Sequence, residues 1–209
     1  MNLVRETVRD AAIGVAVAET PEGLKTFLQP GCAAAIWRRQ SAPEFQDWID
    51  ALEPARLPQG RVVLQPEAAR SAITDLCEMS NTPACQHRKH LIDDIATLAD
   101  IFAELMQARY LRVRLLAVTS IACRKFHIDA ITARLVCTYR GPGTQYGIST
   151  HGHDPSRVFS VQTGAPILLR GTLWPEKPAS GLLHRSPPNE GTDQTRLVLV
   201  LDALSRDEM

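Results

Sequence analysis

The feature that most constrains the fold is a change in hydrophobic period near residue 110. Before it, residues 88–108 carry apolar side chains at helical spacing, which indicates an amphipathic helix. After it, the chain breaks into short alternating or continuous apolar segments separated by Gly and Pro, a pattern typical of strands. Helices followed by strands predict an α+β protein whose helices pack on the outside of a β sandwich or barrel.

Two further helices and a series of strands are predicted. One helix covers residues 67–79, and another begins at Ser41, with Ser41 as N-cap residue and Glu44 three positions later. Residues 1–30 mix helix and loop signals. The predicted strands lie at 32–38, 61–64, 111–118, 125–129, 133–139, 158–161, 166–170 and 196–202.

The length and hydrophobic content fit one domain. The chain has 209 residues, of which 44% are hydrophobic, enough to bury a sizeable core. We therefore expect a single domain over residues 1–209, with a mainly helical part at 1–109 and a β core at 110–202.

Charge and cysteine content exclude several functions. With 23 basic and 23 acidic residues, the net charge of zero gives no reason to expect nucleic acid or an anionic membrane as a partner. No long apolar run or convincing signal peptide is present, so a cytoplasmic protein is expected. Five cysteines without a Cys-x-x-Cys pair predict free thiols. The substrate, whether small molecule or protein, and the oligomeric state stay open.

Four residues form the main candidate site: His127, Asp129, His184 and Arg196. His127 and Asp129 are two positions apart, so in an extended chain both side chains point to one face. Two imidazoles and one carboxylate form a facial triad that suits non-haem Fe(II) and leaves coordination positions open. The alternative is a hydrogen-bonded polar cluster without a metal.

The H-x-D…H…R pattern over roughly residues 110–202 resembles that of the Fe(II)/2-oxoglutarate-dependent dioxygenases. The resemblance implies a double-stranded β-helix, or jelly roll, in which His127, Asp129 and His184 bind iron. It also implies that Arg196 binds the distal carboxylate of 2-oxoglutarate. Thr138 or Tyr139 could donate a hydrogen bond to this co-substrate, although either could instead be a packing residue.

A second resemblance covers about residues 30–202 and concerns an uncharacterised bacterial domain family of unknown function. Members are often encoded near zinc-responsive GTPase metallochaperones, which implies a competing role as a non-catalytic zinc-binding protein in metal homeostasis. The similar segments are 35–39, 123–129, 134–144, 184–188 and 196–202.

Other potential metal ligands lie outside the triad. Cys123 could close the site into a four-ligand zinc centre, since structural zinc sites are closed. Two short clusters, Cys85/His87/His90 and His151/His153, could also bind zinc or copper. Each is more simply a solvated polar stretch.

Overall fold

The computed structural model describes residues 14–119, 125–149, 152–175, 180–188 and 195–204, which contain three α-helices and ten strands. The helices are α1 (Pro43–Ala51), α2 (Ala69–Met79) and α3 (Gln86–Met106), with 3-10 helices at Pro21–Leu28, Pro54–Arg56 and Pro66–Ala68. The strands are β1 (Val15–Ala18), β2 (Ala34–Trp37), β3 (Gly60–Leu64), β4 (Tyr110–Val118), β5 (Ala133–Arg140), β6 (Gln145–Ile148), β7 (Phe159–Ser160), β8 (Pro166–Arg170), β9 (Leu182–Arg185) and β10 (Arg196–Leu204).

The helices follow the predicted periodicity with small shifts at their ends. The helix α3 buries Leu91, Ile95, Leu98 and Phe102, which recur every three or four residues and face the sheet. The predicted cap at Ser41 is wrong, because Ala42 is the N-cap residue and α1 begins at Pro43. Proline suits a first helical position because the N–H group that it lacks would have no partner there.

Among the described residues, no helix combines the length and the apolar character that spanning a bilayer requires.

Seven strands form the larger sheet, in the order β1-β2-β8-β5-β10-β4-β3. The strands β1 and β2 are parallel, and the other neighbours are antiparallel. The part of the chain before residue 110, predicted to be mainly helical, therefore also supplies three strands, which lie at the two ends of this sheet.

The larger sheet has a different environment on each face. In β10, Leu197, Leu199 and Leu201 join the core formed with the helices, whereas Val198 and Val200 join a second apolar cluster with the smaller sheet. Both faces are buried, which explains why β10 is a continuous apolar run apart from its Arg and Asp.

The smaller sheet has the order β7-β6-β9 and covers the second apolar cluster. After β5 the chain crosses to the smaller sheet for β6 and β7, returns for β8, crosses again for β9 and returns for β10. The two sheets thereby enclose this cluster as an interior. The predicted fold class, α+β with helices packed on a jelly-roll core, is confirmed.

Three strands were not predicted, and one prediction was too long. The strands β1, β6 and β9 are only four residues each, too short for a clear period. Residues 125–129, predicted as a strand, make only an isolated antiparallel bridge, in which His127 pairs with His184.

Candidate metal centre

The fold brings His127, Asp129 and His184 together at one end of the jelly-roll interior. One ligand atom from each of the three residues can be chosen so that all lie within 4.8 Å of one another. If the three side chains moved slightly closer together, all three atoms could contact one metal ion at about 2.0–2.2 Å, the metal–ligand distance of imidazole and carboxylate ligands. Within the described residues, this is the one group of three or more potential ligands.

The backbone holds the two histidines side by side. The His127 amide donates to the His184 carbonyl at 3.0 Å, and the His184 amide donates to the His127 carbonyl at 2.9 Å. The ring centroids are 4.5 Å apart. Because residues paired across two strands point to one face, this bridge aims both rings at the same point.

Both imidazoles have a free nitrogen for a metal. His127 Nδ1 lies 2.9 Å from the Lys125 carbonyl oxygen. Only the tautomer protonated at Nδ1 can donate this bond, and that tautomer leaves the Nε2 lone pair free. Burial lowers the pKa of His184, which keeps this ring neutral and able to coordinate.

The carboxylate of Asp129 is ionised. Burial by itself raises its pKa, but contacts with His184 and Arg134 outweigh burial and lower the pKa to about 2. Asp129 Oδ2 lies 2.5 Å from Arg134 Nη1 and 3.1 Å from His184 Nε2. Both are ion-pair contacts, and this buried oxygen has no hydrogen-bond partner among the described residues. Such an atom fits a metal ligand.

Arg134 connects Asp129 to a second, fully buried carboxylate. Its Nε donates to Asp202 Oδ1 at 2.7 Å, and Arg114 Nη2 lies 2.5 Å from Asp202 Oδ2. Asp202 is 1% exposed. Arg134 therefore pairs with both carboxylates, and Asp202 fixes the guanidinium that orients Asp129, the candidate ligand.

The turn after β8 positions the backbone of Asp129. The Thr172 amide donates to the Asp129 carbonyl at 2.9 Å, and the Gly171 amide donates to the Thr132 carbonyl at 3.0 Å. A Cβ atom at Gly171 would lie 2.7 Å from the Asp129 oxygen and 2.0 Å from the Ile131 oxygen. Only glycine lets the two segments approach this closely.

Arg196 lies further along the same interior. Its Nε donates to the Pro142 carbonyl at 2.8 Å, and its Nη2 donates to Thr138 Oγ1 at 3.4 Å. The residue is 3% exposed, and burial lowers the pKa of its guanidinium to about 10. No acidic side chain among the described residues forms an ion pair with it. Burying a cation without an ionic partner is costly, so the prediction that Arg196 binds an anion is compatible with this environment.

The two co-substrate candidates on β5 point in opposite directions. Thr138 pairs with Val198 and shares the interior face with Arg196. Tyr139 faces the helices, where its hydroxyl donates to Asp94 Oδ2 at 2.6 Å. The prediction that Tyr139 binds a co-substrate is therefore wrong, because alternation along the strand puts it on the far side of the sheet.

One residue of the interior, Tyr146, was not predicted from the sequence. Tyr146 is paired directly with His184 across β6 and β9, so both side chains point inward. It is 4% exposed and stacks on Phe159 with ring centroids 5.4 Å apart. Four residues including a glycine gave β6 no readable period, and nothing else in the sequence set Tyr146 apart.

The other potential ligands do not form a comparable cluster within the described residues. Cys85 caps α3, where its Sγ accepts from the Arg88 amide at 3.5 Å. His87 and His90 pack against the aromatic residues of α1, with His90 4.9 Å from Phe45 between ring centroids. The predictions for Cys123 and His151 fall outside the described residues, and His153 belongs to no ligand group.

Solved structures share this fold. The dioxygenase for auxin oxidation 1 from Arabidopsis thaliana, in a binary complex with 2-oxoglutarate, gives a TM-score of 0.50 at 10% identity, over 92% of each chain. The rice dioxygenase for auxin oxidation gives 0.49 at 13% identity, over 93% of this chain and 84% of the other. An oxidoreductase of the 2OG-Fe(II) oxygenase family from Burkholderia pseudomallei gives 0.44 at 14% identity, over 95% and 96%.

At such low identity, the Arabidopsis likeness shows a shared fold and no more. Sequence comparison assigns the family. Residues 18–202 match the family described as "Protein of unknown function (DUF1826)", and the chain belongs to that family. No curated protein matches the chain.

Proposed function

We propose that this chain is an oxidoreductase of the Fe(II)/2-oxoglutarate-dependent dioxygenase type, acting on a substrate still to be identified. One observation carries the proposal: the interior of a jelly roll holds both a His-Asp-His cluster and a buried arginine without an acidic partner among the described residues. The first can hold a metal, and the second can hold the far end of an anionic co-substrate.

The candidate ligands fit an iron site with open coordination positions better than a closed, four-ligand zinc site. Imidazole nitrogens of His127 and His184 and one oxygen of Asp129 would occupy one face of an octahedral ion and leave three positions for other molecules. Bound iron together with 2-oxoglutarate would supply the oxidising chemistry. Arg134 would keep Asp129 ionised and correctly turned.

The rest of the interior would bind and shield the co-substrate. Arg196 would bind the distal carboxylate through its planar fork, with the Thr138 hydroxyl beside it. Between Arg196 and the metal ligands, Val136, Val198 and Val200 make the enclosing wall apolar. An apolar wall excludes water and strengthens the charge–charge contact at Arg196.

The alternative, a zinc-binding protein of metal homeostasis, depends on a fourth ligand. Cys123 is the residue that could provide it, and it lies outside the described residues. The part of the chain that is described offers three ligands and an open site. The Arabidopsis dioxygenase of similar fold binds 2-oxoglutarate, which supports the iron proposal.

The decisive experiment is a titration of anaerobically purified, Fe(II)-loaded protein with 2-oxoglutarate. A bound 2-oxo acid should produce a visible charge-transfer band. Arg196→Ala should weaken binding by about 2–4 kcal/mol, as expected for loss of one partner of a buried charge pair. Arg196→Lys should recover only part of this loss, because an ammonium lacks the fork.

Arg140 offers a matched control. It lies at the end of β5 that is nearer to Arg196, but its Nη1 donates to the Leu52 carbonyl beyond α1. Arg140→Ala should therefore leave 2-oxoglutarate affinity unchanged. Tight zinc binding, no response to 2-oxoglutarate and loss of metal in Cys123→Ser would together replace the dioxygenase proposal with the zinc alternative.

A further inference from the structure

Three arginines line the face of β3 and β4 that continues the interior face of the larger sheet. Arg61 of β3 is paired directly with Arg114 of β4, and Arg112 of β4 is paired with Asp202 of β10. Paired residues in adjacent strands share a face, and alternate residues of one strand do so too. Arg61, Arg112 and Arg114 therefore form one group, here called the arginine face.

The arginine face has too few carboxylates to balance it. In the strands β3, β4, β5 and β10, Asp202 is the one acidic residue. Both of its oxygens are already engaged, Oδ1 by Arg134 and Oδ2 by Arg114. Among the described residues, neither Arg61 nor Arg112 forms an ion pair or a side-chain hydrogen bond.

Arg114 also keeps an unused donor. Its Nε is buried and has no hydrogen-bond partner among the described residues. Burial lowers the pKa of the Arg114 guanidinium, and Arg134 and Arg61 lower it further, against the opposing effect of Asp202. Like charges placed directly opposite each other in adjacent strands destabilise a sheet. A bound anion would relieve that repulsion and use the free donor.

The arginine face is joined to the candidate metal centre by an unbroken set of contacts. Arg114 contacts Asp202, Asp202 contacts Arg134, and Arg134 Nη1 lies 2.5 Å from Asp129 Oδ2. A group bound to the arginine face would therefore be connected to Asp129 through Asp202 and Arg134. Arg196 is at the opposite end of β10 from Asp202, so the two anion-binding positions are separate.

We propose that the arginine face binds an anionic group, a carboxylate or a phosphate, of the primary substrate. Planar guanidinium groups recognise either anion through paired charge-assisted hydrogen bonds. The assignment of this anion to the substrate rests on the proposed oxygenase function. Anion binding itself requires neither iron nor 2-oxoglutarate.

The test uses metal-free protein labelled with 15N, titrated separately with inorganic phosphate and with sodium acetate at constant ionic strength. The Arg114 Nε–H signal, assigned by its loss in Arg114→Lys, should shift saturably with at least one of these anions. The anion giving the tighter binding identifies the group as phosphate or carboxylate. Matched additions of sodium chloride correct for general salt effects.

Substitutions locate the anion. Arg61→Gln and Arg112→Gln remove side chains without an acidic partner, so both variants should fold, and each should weaken binding by roughly threefold, the scale of one partly exposed ion pair. Arg70→Gln is the control: it removes one positive charge from an exposed position on α2, where Arg70 pairs with Asp93, and should leave binding unchanged.

Two results would overturn the proposal. One is the absence of a saturable shift with both phosphate and acetate. The other is binding that Arg61→Gln and Arg112→Gln leave intact while Arg196→Gln abolishes it, which would place the anion at the co-substrate position. Neither result would affect the 2-oxoglutarate titration, so this proposal can fail while the oxygenase proposal stands.

Discussion

His127 and His184 hold each other in place through two reciprocal backbone hydrogen bonds, although they belong to segments far apart in the sequence. Their positions are therefore set by main-chain atoms, and their side chains are available for binding. Substitutions of these side chains should therefore change binding while leaving the bridge between the two segments intact.

Replacement of any one ligand by alanine should remove the metal and leave a cooperative fold. His127→Ala, Asp129→Ala and His184→Ala each delete one of three ligands without touching the bridge between the two backbones. Metal content by elemental analysis, with urea unfolding in parallel, measures both effects. His87→Ala, which changes only packing against α1, is the control. Full metal occupancy in His184→Ala would remove that residue from the site.

Thr138 and Tyr139 should respond in opposite ways to loss of a hydroxyl. Thr138→Val removes a group beside Arg196 and should weaken 2-oxoglutarate binding by about 1 kcal/mol, with stability nearly unchanged. Tyr139→Phe removes the donor to the partly buried Asp94 and should lower the free energy of unfolding by about 1–3 kcal/mol, with 2-oxoglutarate affinity unchanged. A loss of affinity in Tyr139→Phe would contradict the orientation of β5.

Gly171→Ala should damage the candidate site from a distance. The added Cβ would lie 2.7 Å from the Asp129 carbonyl oxygen and must push that segment away. We expect a lower free energy of unfolding and a clearly weaker metal affinity. Gly31→Ala is the control, because a Cβ there meets nothing and adds only the roughly 1–2 kcal/mol cost of left-handed backbone. Equal metal affinity in both variants would show that the turn does not position Asp129.

The metal-free protein should lose stability in two pH ranges. Asp129 has a pKa of about 2 when folded and 3.8 when unfolded, so its contribution is complete above 3.8 and is lost as the pH falls toward 2. That shift corresponds to about 2 kcal/mol. His184 has a folded pKa below 6.5, so protonation of the unfolded chain destabilises the fold as the pH falls below 6.5.

Urea unfolding across this pH range separates the two groups. Asp129→Asn should abolish the acidic loss and enlarge the loss below 6.5, because Asp129 opposes the lowering of the His184 pKa. His184→Gln should abolish the loss below 6.5 and reduce the acidic loss, because the contact with His184 helps to lower the pKa of Asp129. Identical profiles for wild type and Asp129→Asn would show that the carboxylate is not held in its charged form.

The cysteines should be reduced and should differ in reactivity. Burial raises the pKa of the Cys77 thiol to about 11 and that of Cys137 to about 12, so both should react very slowly at pH 8. Cys85 is exposed and should react first among the four cysteines that the structure describes. A thiol count with a disulfide reagent should find all five cysteines after denaturation without reductant. A missing pair would reveal a disulfide.

Whether a strand could be predicted from the sequence depended on its length and on its burial. The strand β10 was predicted because nine residues buried on both faces leave a clear apolar run. The four-residue strands β6 and β9 left none, although β9 carries His184. The H-x-D…H…R spacing alone selected the three potential ligands that the fold brings together, and it also selected Arg196.

Two kinds of information were missing from the sequence. Alternation in β5 separates Thr138 from Tyr139, but a sequence alone does not say which face is the interior when both faces are apolar. The role of Asp202 was also hidden, because its partners Arg114 and Arg134 come from two other strands. Such contacts depend on strand order, which local patterns do not encode.

The isolated bridge at His127 has a kinetic consequence. Breaking its two hydrogen bonds frees His127 from β9 without disrupting any strand, whereas Asp129 remains attached to the turn at Gly171 and Thr172. Local opening of this kind costs far less than global unfolding. A bound ion would then leave stepwise, with His127 detaching first, and its residence time would be set by the lifetime of one bridge.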